Sequence, residues 1–97
     1  MRFIVDQSSL RVANELRKRG HECRTATDLV HGHEDSRVRA SDFRILSFLT
    51  QNRDFTLLTA DVRLEKDCRA EGVSVILLPN PLPDPAEVIR IVESRLR

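Results

Sequence analysis

A regular alternation of strand-like and helix-like segments restricts this chain more than any other feature. Phe3-Ile4-Val5, Phe55-Thr56-Leu57-Leu58-Thr59 and the stretch from Val73 to Leu78 are short runs dominated by apolar and β-branched residues. The first reads as a central strand covered on both faces, and the last is another unbroken apolar run. Between the runs, apolar residues recur every three or four positions, which marks a helix with one buried face. Parallel neighbours need a long crossover, and a helix is the usual one. The alternation therefore leads to a parallel α/β sheet.

The expected elements follow in order. A first strand covers about residues 2–6, and a helix over about 9–19 places Leu10, Ala13 and Leu16 on one face. Ser8 or Ser9 can cap that helix, and Gly20 ends it. A second strand at about 22–26 is polar, so it belongs at an edge. Residues 29–40 carry no clear period, and a polar stretch of that length inside a small domain is usually functional or mobile. A helix over about 42–52, capped by Ser41, turns Ile45, Leu46 and Leu49 inward. A strand at about 55–59, a helix at about 62–71 closed by Gly72, and a strand from Val73 to Leu78 come next. Asp84-Pro85-Ala86-Glu87 combines a capping box with proline at the first helical position. The last helix is expected to bury Val88, Ile89, Val92 and Leu96.

Right-handed crossovers with helices on both faces give a strand order of 2-1-3-4. The expected fold is a small three-layer α/β/α sandwich with a four-stranded parallel sheet, one domain over residues 1–97. In such sheets, ligands bind at the carboxyl ends of the strands, where the direction of build reverses. Here that point lies between strands one and three.

Composition excludes several classes. With 40% hydrophobic and 32% charged residues the chain is an ordinary globular one, not a disordered one. The net charge of +1 supplies no global field toward nucleic acid. Fourteen Arg against two Lys offer a fork that matches phosphate oxygens, although a genome or growth-temperature bias explains the ratio better. Cys23 and Cys68 form no Cys-x-x-Cys pattern and read as buried thiols in a reducing compartment. No apolar run approaches a membrane span or a leader peptide, so no membrane association and a cytoplasmic location are expected. Trp and Tyr are absent, and Phe3, Phe43, Phe48 and Phe55 all fall in core-like patterns. An exposed aromatic platform for stacking bases is therefore not expected.

Asp6 closes the first strand, Asp61 closes the third, and Asp42 opens the second helix. All three positions fall on the carboxyl edge of the expected sheet. Adjacent strands lie ~4.8 Å apart, so Asp6 and Asp61 can meet. Clustered carboxylates repel unless a cation neutralises them, and Mg²⁺ prefers carboxylate and water oxygens. Taken singly, an aspartate at a helix start is a common cap. Taken jointly, the three acids point to a metal site with metal-dependent phosphodiester chemistry.

Met1-Arg2-Phe3-Ile4-Val5-Asp6 resembles the opening strand of PIN-domain nucleases, particularly the short PIN-like group. Arg19-Gly20-His21-Glu22-Cys23 is similar to the Gly-His-Asp-Val segment of that group. Ser41-Asp42-Phe43-Arg44-Ile45-Leu46 is similar to its Ser/Pro-Asp-x-x-Ile-Leu helix start, and Leu57-Leu58-Thr59-Ala60-Asp61 to its Leu-Val-Thr-x-Asp strand end. The resemblance runs in order from residue 1 to about residue 78. It implies an endoribonuclease using Mg²⁺ or Mn²⁺, with Asp6, Asp42 and Asp61 as catalytic and metal-holding residues. It also implies a toxin–antitoxin role, with RNA as substrate, an antitoxin protein as partner, and a homodimer. Two departures stand out. The chain is too short for the segment that carries a further acid in full-length members, for which Glu34 or Asp35 could substitute. Gln7 stands where short members often have Glu.

Gln7, Arg37, Arg39 and Arg63 are the expected substrate contacts, since amides and guanidinium groups hold phosphates. His31 and His33 beside Glu34-Asp35 could ligate a transition metal, but a solvated loop accounts for them better. The competing function is a PIN-like module with weakened catalysis, acting through dimerisation or a protein partner. A phosphoacceptor receiver domain fits poorly, because Gln7 replaces the second acid and Leu77-Leu78-Pro79-Asn80 carries no lysine.

Overall fold

The computed structural model describes residues 2–6, 10–26 and 42–96, and the backbone alone of residues 10 and 42. The elements are β1 (Arg2–Val5), α1 (Leu10–Lys18), β2 (Glu22–Thr25), α2 (Asp42–Gln51), β3 (Phe55–Thr59), α3 (Val62–Ala70), β4 (Val75–Leu77) and α4 (Pro85–Arg95). The four strands form one sheet in the order β2-β1-β3-β4. Every pairing is parallel, with Val5 opposite Thr25 on one side and Leu58 on the other.

Side chains alternate across a strand, and the core divides accordingly. Phe3, Val5, Leu58 and Ile76 pack with Val12, Leu16, Val88 and Val92, so α1 and α4 cover one face. Ile4, Phe55 and Leu57 pack with Ile45, Leu49, Leu64 and Cys68, so α2 and α3 cover the other. This is the expected three-layer sandwich. Each fully buried Leu, Ile or Phe contributes roughly 1.5–3 kcal/mol. Both cysteines are buried.

The helix ends follow from local chemistry. Gly20 follows α1 with φ +88° and Gly72 follows α3 with φ +71°, a backbone region that disfavours other residues. After α1, Gly20 N–H donates to the Arg17 carbonyl and His21 N–H to the Leu16 carbonyl. After α3, Gly72 N–H donates to Arg69 and Val73 N–H to Cys68. Both patterns are Schellman endings, which satisfy carbonyls a helix would otherwise leave bare. Asp84 caps α4 by accepting from Glu87 N–H at 3.0 Å, with Pro85 first in the helix.

The amino edge of the sheet is tied by one residue. Arg2 pairs with Glu22 on β2 and with Asp54 just before β3, and its guanidinium lies 4.3 Å from the Phe55 ring centroid. Arg19 pairs with Glu93 at 2.6 Å and links α1 to α4.

Three expectations about side chains and limits are corrected. Phe43 is 81% exposed and not part of the core. It precedes Ile45 by two positions, roughly 200° around a helix from the buried stripe. Leu96 keeps the four-residue spacing from Val92 but falls beyond α4, as its C-cap, and is exposed. The fourth strand is three residues long, flanked by the buried Val73 and Leu78. No helix among the described residues is long and apolar enough to cross a membrane.

Candidate functional site

β1 and β3 are neighbours whose connections leave in opposite directions, so the gap at their carboxyl ends is the switch point of the sheet. Asp6 follows β1 there and is 4% exposed. An ionised carboxylate in such a position needs hydrogen bonds to offset lost hydration. Thr59, the last residue of β3, supplies one: its Oγ1 donates to Asp6 Oδ2 at 2.8 Å. The register explains the contact, because Val5 sits opposite Leu58 and the next step brings Asp6 beside Thr59. Thr59 is itself buried, and its carbonyl accepts from Leu78 N–H at 2.7 Å, which fixes the strand end.

The same hydroxyl accepts from the Asp61 N–H at 3.0 Å. One threonine thus joins the buried acid on β1 to the acid that follows β3. Asp61 is the N-cap of α3, and its Oδ1 accepts from Arg63 N–H at 2.9 Å and Leu64 N–H at 3.3 Å. The capping role expected of a lone aspartate is therefore real, and it uses one oxygen. Oδ2 stands outside those two bonds. A cavity of about 40 Å³ adjoins Asp6 and Thr59, with Leu78, Asn80 and Leu82 among its walls. That is room for a water-sized ligand, since a water's share of liquid volume is about 30 Å³.

The other expected residues fall as follows. Asp42 is the first residue of α2, which starts from the carboxyl edge, and its side chain lies outside the described residues. Gln7, Arg37 and Arg39 also lie outside them, as do His31, His33, Glu34 and Asp35. Arg63 is exposed in the first turn of α3, one turn from the edge. Asp6 and Asp61 are thus the two acids brought to one edge. Among the described residues, no group of three or more His, Cys, Asp or Glu is arranged to hold a metal ion.

The link that sequence reasoning missed is Thr59 to Asp6. Thr59 also meets Asp61, whose N–H donates to its hydroxyl. Its hold on Asp6 depends on the pairing of β1 with β3, and a register drawn from the apolar runs would have found it. No family model, curated protein or solved structure matches the chain.

Proposed function

We propose that this protein is a metal-dependent ribonuclease of PIN-like type, hydrolysing RNA phosphodiester bonds with Mg²⁺ or Mn²⁺. The observation that carries the proposal is the buried Asp6, oriented across the switch point by a threonine that also holds Asp61. The donor set suits a hard cation, because Mg²⁺ keeps several waters and is commonly anchored by one or two carboxylates. Asp6 and Asp61 would hold the ion, with Asp42 joining them from the start of α2. A divalent cation at such a site supplies Lewis-acid polarisation of a phosphoryl oxygen and a lowered pKa for water.

The chain's own residues do the positioning. Thr59 fixes the Asp6 carboxylate before substrate arrives, and two backbone N–H groups fix Asp61. Neither acid must reorganise at the moment of reaction, and such preorganisation is where electrostatic catalysis gains most. Arg63 offers an exposed planar fork to a substrate phosphate. Within this proposal the chain is the cytoplasmic toxin of a toxin–antitoxin pair and acts as a homodimer.

The test is cleavage of an end-labelled RNA pool with Mn²⁺, with Mg²⁺ and with EDTA. Cleavage is expected with metal alone, and Asp6→Asn should lower it by about 10²-fold or more. Asparagine keeps an oxygen that can accept from Thr59, and circular dichroism of the variant checks that it folds. Cleavage that persists in EDTA, or that is unaffected by Asp6→Asn, would overturn the proposal. The second reading, a weakened module acting through a partner, is favoured by the lack, among the described residues, of a group of three or more His, Cys, Asp or Glu arranged to hold a metal ion. A Mn²⁺-dependent thermal shift abolished by Asp6→Asn supports the enzyme, and its absence at millimolar Mn²⁺ supports the module.

A further inference from the structure

We infer that two copies of this chain join through the free edge of β4, antiparallel about Ile76, to form one continuous sheet. The inference gives the homodimer of the proposed function its surface, and its test does not involve cleavage. β4 is the last strand in the order β2-β1-β3-β4, so one of its sides has no strand beside it. Along a strand, the backbone groups of successive residues point to opposite sides. The Ser74 carbonyl accepts from Leu57 N–H at 3.0 Å, and Leu78 N–H donates to the Thr59 carbonyl at 2.7 Å. Ile76 pairs with Leu58 between them, so the backbone groups of Ser74, Ile76 and Leu78 serve β3. Val75 and Leu77 turn their N–H and C=O groups outward, and among the described residues none hydrogen-bonds to them there.

The two edges of the sheet are built differently. β2 exposes Glu22 and Arg24, and Glu22 pairs with Arg2. Charges of this kind keep a strand edge from pairing with another chain. β4 has no such guard: from Gly72 to Pro83 the chain carries no charged residue, although 32% of all its residues are charged. A second β4 fits this edge because its outward residues are related by a two-fold axis through Ile76. About that axis, Val75 N–H meets the partner's Leu77 carbonyl and Leu77 N–H meets the partner's Val75 carbonyl, with the reverse bonds completing the ladder. Sliding the register by two residues leaves an outward carbonyl on each strand unmet. Val73 N–H is already held by the Cys68 carbonyl, and Pro79 has no N–H to give. Joining β4 to the β2 of another copy would build an open fibre, and the charges on β2 oppose it. One strand pair buries less than the about 1,200–2,000 Å² of a standard interface, so a weak, reversible dimer is expected.

The test is sedimentation equilibrium of the full chain from about 1 μM to about 1 mM, the range of weak association. The mass should rise reversibly from 11.1 kDa toward twice that value. Leu77→Pro removes an N–H that the pairing with β3 does not use, and an edge strand tolerates proline on that side. The variant should keep the parent's circular dichroism and hold a mass of 11.1 kDa at every concentration. Amide hydrogen exchange of the parent asks the same question without a substitution. The Val75 and Leu77 amides should be protected at the highest concentration and exchange freely at the lowest. A parent that stays at 11.1 kDa throughout would overturn the inference and leave the edge to an extended segment of another protein. So would a dimer that Leu77→Pro forms as tightly as the parent, or one in which the two amides exchange as in the monomer. Masses that climb past the dimer would refute the two-fold closure. A dimer lost in Leu77→Pro, with no RNA cleaved by either form, would uphold the interface and refute the nuclease.

Discussion

Thr59→Val separates the hydroxyl that joins the two acids from everything else Thr59 does. Valine matches threonine in shape and keeps the β-branch that suits a strand, so no cavity opens. Two interactions go. The donor to Asp6 Oδ2 is a hydrogen bond to a carboxylate, worth about 1.5–3 kcal/mol. The acceptor for Asp61 N–H is also lost, and an unsatisfied buried donor costs about 1–3 kcal/mol. Asp61 is half-buried, so water can recover part of the second loss. The combined destabilisation should be about 2–4 kcal/mol, a large share of the 5–15 kcal/mol typical of a domain. Urea unfolding followed by circular dichroism would read it as a lower midpoint with an unchanged slope. Thr59→Ser keeps the hydroxyl and should cost about 1 kcal/mol, the value of one methyl group. A double-mutant cycle with Asp6→Ala, which removes the acceptor, should show a coupling of at least about 0.5 kcal/mol. If Thr59→Val lies within about 0.5 kcal/mol of the parent, the hydroxyl does not hold the acids and the reasoning fails.

Two other perturbations test the frame around the site. Leu58 is fully buried against α1 and α4, and Leu58→Ala should cost about 2–5 kcal/mol in the same unfolding assay. A smaller loss would mean that this layer is loosely packed. Asp54 tests the amino edge through pH: the hydrogen bond from Arg2 holds its carboxyl below the usual carboxylate range. A carboxylate depressed on folding stabilises the fold above its unfolded pKa, and that contribution disappears as pH falls through the lower folded value. The stability gap between parent and Asp54→Asn should therefore be present at neutral pH and shrink below about pH 4. Salt should also diminish it, since both partners are exposed. A gap that widens in acid would have the wrong sign for this pairing.

Part of the sheet was readable because some strands carry their own address. Phe3-Ile4-Val5 is apolar on both faces and reads as central, whereas Glu22-Cys23-Arg24-Thr25 alternates exposed and buried residues and belongs at an edge; the apolar β4 carries no such mark and is an edge strand too. Right-handed crossovers then leave little choice of order. Asp6 was readable for the same reason, as a charge directly after a buried strand must be accounted for. Phe43 was misplaced because its segment was judged by composition and not by angle around the helix. Leu96 was misplaced because periodicity does not announce where a helix stops. The bond from Thr59 to Asp6 was hidden because it joins positions far apart in the chain, and cross-strand register is not written in either segment alone.

The central claim is that Asp6 and Asp61 act together as an oxygen site for a divalent cation at the β1–β3 switch point. Crystals grown with millimolar Mn²⁺, measured for anomalous scattering, test it most directly. The account predicts one or more manganese peaks at the carboxyl edge, within coordination distance of both Asp6 and Asp61 and absent from Asp6→Asn crystals. A clean map at that edge, or manganese bound elsewhere with these two carboxylates untouched, would contradict it.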